Sequence, residues 1–182
     1  MIRKLILITA LLSANISVSI ANDSVSQTES FINIYSSLCI KHVNDLDALR
    51  KKLSPLPKLP SDKASHFLSG NEGNAWPVPD KNGTFVVAIP TEKNICMVFA
   101  RRADTESAEK KFKSLFSKAT TPIESKLTRD EYKETDANGK THTIAYEWAV
   151  PKALRGMLFT LTTASSENAK LQLMGSAATI RK

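Results

Sequence analysis

Cysteine, histidine and glycine are scarce in this chain, and each shortage removes a class of protein. Only two cysteines, three histidines and six glycines occur among 182 residues. His42, His66 and His142 share no H-E-x-x-H or other metal-ligand spacing. Two cysteines so far apart, without matched histidines, make a poor metal site. A G-x-S-x-G nucleophile elbow, a P-loop and a dinucleotide fingerprint are also missing, so nothing selects a hydrolase and no cofactor is expected. With six glycines, eight prolines, 42% apolar and 24% charged residues, the chain is neither collagen-like nor disordered nor a multispan membrane protein.

What is present begins with a leader. Arg3 and Lys4 precede the apolar run Leu5 to Leu12, and small or aliphatic residues continue to Ser19-Ile20-Ala21. Small residues three and one positions before a cut after Ala21 suit a signal peptidase, which predicts a cleaved signal peptide over 1–21 and a mature start at Asn22. Ser13, Asn15, Ser17 and Ser19 leave the stretch short of the roughly 20 apolar residues a span requires, so no stable membrane span is expected after cleavage. No cysteine follows the apolar run, which argues against a lipoprotein anchor. The predicted location is the periplasm, with secretion as the alternative.

Cleavage takes two basic residues away and lowers the formal charge from +7 to +5. An exported basic protein meets an anionic envelope before it meets chromosomal DNA, so an unknown periplasmic protein or an anionic envelope component is the expected partner, and no nucleic acid. In an oxidising compartment Cys39 and Cys96 most simply form one disulfide. Two buried free thiols, or one reactive thiol, are the alternatives.

Apolar periodicity predicts an N-terminal helical segment over 22–60, followed by a sheet-rich part over 61–182 packed with it as one unit. Phe31, Ile34, Tyr35 and Leu38 recur at helical spacing, as do Val43, Leu46, Leu49 and Leu53 with Asn44 as their expected cap. A short helix is expected over Lys63 to Leu68, capped by Ser61 and ended by Gly70. From Asn71 the period alternates: Trp76 and Val78 lead to an Asn82-Gly83 hairpin with positive φ, and Phe85, Val87 and Ile89 return from it. Cys96, Val98 and Ala100 share a face of a third strand. Asp104 or Thr105 then caps a helix whose buried stripe is Ala108, Phe112, Leu115, Phe116 and Ala119.

The second half resembles the first. Asn138-Gly139 turns into a strand carrying His142, Ile144, Tyr146 and Trp148 on one side. A strand with Met157, Phe159 and Leu161 follows, and Ser165-Ser166-Glu167 reads as another helix start. The Asn-Gly turns lie 56 residues apart and the helix starts 61 apart. The expected fold class is therefore α+β: two β-β-β-α units forming a mainly antiparallel sheet with helices packed on one face, the repeat or coincidence of the units being open. The polar stretch Ser125 to Glu134 suits an edge strand.

Three groups of residues carry candidate chemistry. Asn71, Glu72, Asn74 and Trp76, in the run Ser69-Gly70-Asn71-Glu72-Gly73-Asn74-Ala75-Trp76, combine a polar rim with one aromatic and are the candidate binding residues; Trp76 reads equally as a core strand residue. Glu72 and Asp80 are the best-placed carboxylate pair for a small hydrolase. Lys110, Lys111, Lys113 and Lys118, preceded by Arg101 and Arg102, form either a basic face for anions or the solvated side of a helix. A lone histidine such as His142 reads as a satisfied core or rim residue.

The stretches Ser69 to Trp76, Cys96-Met97-Val98-Phe99-Ala100-Arg101-Arg102, Tyr146-Glu147-Trp148 and Met157 to Thr163 resemble those of a family of small exported proteobacterial proteins, first catalogued from Neisseria genomes, with no established activity. The resemblance covers most of the mature chain. It implies a Gram-negative periplasmic or secreted setting and no reaction. The expected function is a non-enzymatic binding or accessory protein, inhibitor-like or immunity-like. Binding of anionic envelope components is the alternative, and a hydrolase ranks last.

Overall fold

A computed structural model describes residues 17–182, with side-chain surroundings from Asp23 onward. Most of the expected signal peptide, 1–21, lies outside the described residues.

Two antiparallel meanders join into one seven-stranded sheet. Strands β1 (Gly73–Val78), β2 (Phe85–Pro90) and β3 (Ile95–Ala100) form the first, and β4 (Glu124–Thr135), β5 (Gly139–Ala149), β6 (Arg155–Ala164) and β7 (Leu173–Arg181) the second. The order is β1-β2-β3-β7-β6-β5-β4, so the last strand closes the sheet at its centre against β3. Helix α1 (Ser17–Ile34) runs into a π-helical turn, Tyr35–Ile40, and is followed by α2 (Leu46–Leu53) and α3 (Ser61–Leu68). Helix α4 (Thr105–Phe116) carries the chain from β3 to the far edge at β4. The α+β class and the packing of N-terminal helices on a large antiparallel sheet agree with the sequence.

The main core lies on one face of that sheet. Alternation sends Trp76, Val87, Val98, Ala177, Phe159 and Ile144 to the same side, where they meet Phe31 and Tyr35 of the first helical segment and Phe112 and Phe116 of α4. Phe116 stacks on Phe159 with ring centroids 4.3 Å apart. Each of these fully buried aromatics contributes about 1.5–3 kcal/mol of transfer free energy. The disulfide Cys39–Cys96 ties the π-helical turn to β3 beneath this layer, with Cα atoms 5.3 Å apart and both residues fully buried.

Several expectations need correcting. Helices do not occupy one face only: α3 packs Ala64 and Leu68 on the opposite side, against Ala75, Val86, Ala88, Met97 and Phe99. The second unit ends in β7, not in a helix. Residues 165–172 form turns held by tertiary bonds, with Arg102 Nη1 donating to the Ala169 carbonyl at 2.8 Å and Ala103 N–H donating to Gln172 Oε1 at 2.9 Å. The strand that follows is rich in small residues because rings lie on it.

Caps and turns differ in detail. Asp45, not Asn44, caps α2, accepting from Ala48 N–H at 2.9 Å. Ser61 is the first residue of α3, and Pro60 stands at the cap position without a side-chain bond. Helix α3 ends with Ser69 left-handed at φ 49° and Gly70 at φ 78°. Asn82-Gly83 does not take the expected positive φ angles, which occur instead at Gly139. The first hairpin loop is longer and is shaped by Asp80, which accepts from Asn82 N–H at 2.8 Å and from Ser30 Oγ of α1 at 2.9 Å. Asp104 does cap α4, accepting from Ser107 N–H at 3.1 Å. Leu115, expected in the buried stripe, is 42% exposed, and Ala119 lies beyond the helix.

The sheet's two edges are blunted differently. On β1 the Leu59 N–H donates to the Ala75 carbonyl at 2.8 Å, and Pro77 removes a donor. Strand β4 is the exposed polar ribbon anticipated from Ser125 to Glu134, with a register irregularity between Leu127 and Arg129.

Candidate functional site

The four candidate binding residues do not share one surface. Trp76 is 1% exposed within the main core, its Nε1 has no hydrogen-bond partner, and Lys58 Nζ stands 5.8 Å from the ring centroid. It presents no anchor at the surface. Asn71 is occupied with local structure: its Nδ2 donates to the Leu68 carbonyl at 2.7 Å and so closes the end of α3. Glu72 is exposed, and it lines a depression with Asn71, Glu92 and Lys93. Asn74 is half-buried on β1.

The carboxylate pair does not converge either. Glu72 and Asp80 flank opposite ends of the six-residue strand β1, whose length of roughly 20 Å lies between them. Asp80 is bonded to Ser30 and to its own loop. The basic helix is likewise partly engaged, because Lys111 pairs with Glu29 of α1 at 2.7 Å and Lys113 with Asp130 of β4 at 3.3 Å. These two lysines brace α4 against its neighbours, while Lys110 and Lys118 make no ion pair among the described residues.

His142 sits in a network that the sequence did not foretell. Its Nε2 is 2.6 Å from Asp130 Oδ1, and its Nδ1 is 3.0 Å from Glu109 Oε2, within ion-pair distance but without hydrogen-bond alignment. Thr163 Oγ1 donates to Glu109 Oε1 at 2.5 Å. Tyr132 stacks on the imidazole with centroids 4.1 Å apart, and Lys140 Nζ stands 4.7 Å from the Tyr132 ring. The hydrogen bond from His142, with the Lys113 ammonium adding to it, holds the Asp130 carboxyl below the usual carboxylate range. Together these contacts clamp α4 to β4, β5 and β6. His142 is thus a buried structural residue with Nε2 bonded to Asp130 and Nδ1 left without a hydrogen bond, so the expectation of a satisfied histidine holds for one ring nitrogen only. Among the described residues no group of three or more His, Cys, Asp or Glu side chains is arranged to hold a metal ion.

The opposite face carries a different arrangement. Phe67 of α3 meets Phe99 of β3 edge-on, with centroids 5.1 Å apart. With Val86 and Leu171 they floor a groove of about 420 Å³ whose remaining lining residues are Thr84, Arg101 and Lys170. Phe99 and Arg101 are two apart, so alternation puts both on this face. Lys170 arrives from the turns that replace the expected second helix. Arg101 and Lys170 are exposed, and neither makes an ion pair among the described residues. An apolar floor with a few convergent polar groups is the usual composition of a ligand site.

Sequence reasoning singled out Arg101 but missed Phe67, Phe99 and Lys170. One signal was available: Phe85-Val86-Val87-Ala88-Ile89 and Ile95 to Ala100 are apolar at every position, which marks strands covered on both faces. No family model matches the chain, and neither a curated protein nor a solved structure matches it. Among the described residues no helix is long and apolar enough to cross a membrane.

Proposed function

We propose that the chain is an exported binding protein, with no reaction of its own, that holds an acidic protein partner in the Phe67–Phe99 groove. The observation that carries this reading is the placement of Arg101 and Lys170, two cations without carboxylate partners among the described residues, beside an apolar floor. Unpaired cations of this kind favour carboxylates, and the aromatic floor favours an apolar side chain between them. The formal charge of +5 after cleavage steers acidic partners toward the surface. Export is supported by the N-terminal leader, by the resemblance to small exported proteobacterial proteins, and by a disulfide suited to an oxidising compartment.

A binder of anionic envelope components shares the electrostatic half of this reading but has no use for the aromatic floor. Short peptides with one Phe or Leu among Asp and Glu residues separate the two in a fluorescence-polarisation titration. Saturable binding that weakens with salt, and is lost in the double variant Arg101→Glu, Lys170→Glu, supports the proposal. Equal binding of peptides lacking the apolar residue would favour a purely anionic ligand, and no binding of either peptide would refute the reading.

A further inference from the structure

The geometry points to a second ligand site, at the far end of the sheet, for a fatty acid: one carboxylate on an unbranched hydrocarbon chain. It lies on the opposite face from the Phe67–Phe99 groove and does not depend on the partner proposed there.

Arg155 and Arg181 are direct cross-strand partners on β6 and β7. One residue outward, the Lys182 N–H donates to the Leu154 carbonyl at 3.1 Å, which makes 154/182 a hydrogen-bonded pair. Arg155 and Arg181 are then a non-hydrogen-bonded pair, the kind whose Cα atoms approach to about 4.5 Å and whose side chains lie closest. Alternation puts both on the face of Met157, Phe159 and Thr179. Like charges directly opposite destabilise a sheet unless something lies between them.

Nothing in the described chain does so. Both arginines are exposed, and neither makes an ion pair among the described residues. Glu147 pairs instead with Lys182 at 2.8 Å, and alternation puts both of those residues on the other side of the sheet. Guanidinium groups carried by two directly opposed residues suit a carboxylate, which can accept from both.

Beside the arginines the surface opens into a cavity of about 450 Å³, within the roughly 300–1,000 Å³ usual for small-molecule sites. Its walls include Val43, Leu46, Ile123, Trp148 and Met157, with Asn44, Asn94 and Thr179 among them; Arg155 stands in its lining and Arg181, its cross-strand partner, lies just outside it. The β5–β6 turn at this end leaves Val150 41% and Leu154 82% exposed. Mostly apolar walls with a few polar groups and one cation in the lining suit a hydrocarbon chain with an anion at one end. The carboxylate would sit between Arg155 and Arg181 and the chain would pass Met157 and Trp148.

The test titrates the disulfide-bonded protein with dodecanoate below its onset of micelle formation, by calorimetry and tryptophan fluorescence. Binding of one dodecanoate per protein with a change in Trp148 emission is expected. Arg155→Gln and Arg181→Gln should each weaken it about tenfold, the effect of losing one charge-assisted hydrogen bond. Dodecanol, with the same chain and no charge, should bind at least about tenfold more weakly for the same reason. Ala153→Phe, on the turn that lines the cavity, should block entry of the chain. Without ligand, each arginine variant should melt no lower than the parent, because an opposed like-charge pair has been relieved. No saturable binding, dodecanol binding as tightly as dodecanoate, or unchanged affinity in both arginine variants would overturn the proposal.

Discussion

Phe31 lies directly over Gly175: a β-carbon built on that glycine would stand 2.9 Å from Phe31 Cζ and 3.3 Å from Tyr35 Cδ2. The absence of a side chain at the centre of β7 lets the first helical segment settle onto the sheet. Tyr35 adds a hydrogen bond there, its hydroxyl donating to the Ser176 carbonyl at 2.6 Å, and burial pushes the phenol's pKa up so that it stays neutral. Gly175→Ala is expected to cost about 1–3 kcal/mol by overpacking. Urea denaturation of the variant beside the parent checks this, and equal midpoints would show that the rings yield freely.

The disulfide braces the same contact from below. Cys39 and Cys96 are 57 residues apart, so in the chain-entropy model their bond removes about 4 kcal/mol of freedom from the unfolded state. The paired substitution Cys39→Ala, Cys96→Ala should lower the unfolding free energy by about that amount, the lost packing adding to it. Both residues being fully buried, the native protein should resist reductant until it is partly unfolded.

Much of this bracing was legible in the sequence. The pairing of Cys39 with Cys96 followed from their number and the expected oxidising compartment, and α4 from its apolar stripe and Asp104 cap. What was not legible depended on contacts between distant segments. Ser165-Ser166-Glu167 has the composition of a helix start, yet the following residues are needed between β3 and β6, and Gln172 and Ala169 are taken up by bonds to Ala103 and Arg102. The groove escaped notice because Lys170 and Leu171 belong to that misread segment. Trp76 drew attention by its neighbours' polarity, while alternation placed it with Val78 on the main-core face, opposite Ala75.

Trp76 and Glu72 therefore contrast a core position with a surface one. Trp76→Ala should destabilise by about 3–5 kcal/mol, as expected for an emptied aromatic core site. Glu72→Ala should leave the melting temperature almost unchanged, since exposed substitutions usually lie within about 0.5 kcal/mol. Thermal melts of both variants check the contrast.

Asp130 makes acid stability depend on the His142 clamp. Its pKa is lowered in the folded state by the hydrogen bond from His142 and then by Lys113. A carboxylate favoured in this way stabilises the fold above the unfolded-state pKa of about 4, and the contribution is lost as pH falls through the lowered value. Asp130→Asn should melt below the parent at neutral pH, and the gap should narrow on acidification from about pH 4 to pH 2. A constant gap across that range would remove the carboxylate from the clamp.

The measurement that bears most directly on the proposed function is retention of periplasmic proteins from the native host on the immobilised, disulfide-bonded chain, quantified by mass spectrometry. The parent and the Glu72→Ala variant should retain the same acidic protein. The Arg101→Glu, Lys170→Glu variant, with an unchanged melting temperature, should lose it. Retention of that protein by the charge-reversed groove would contradict the account.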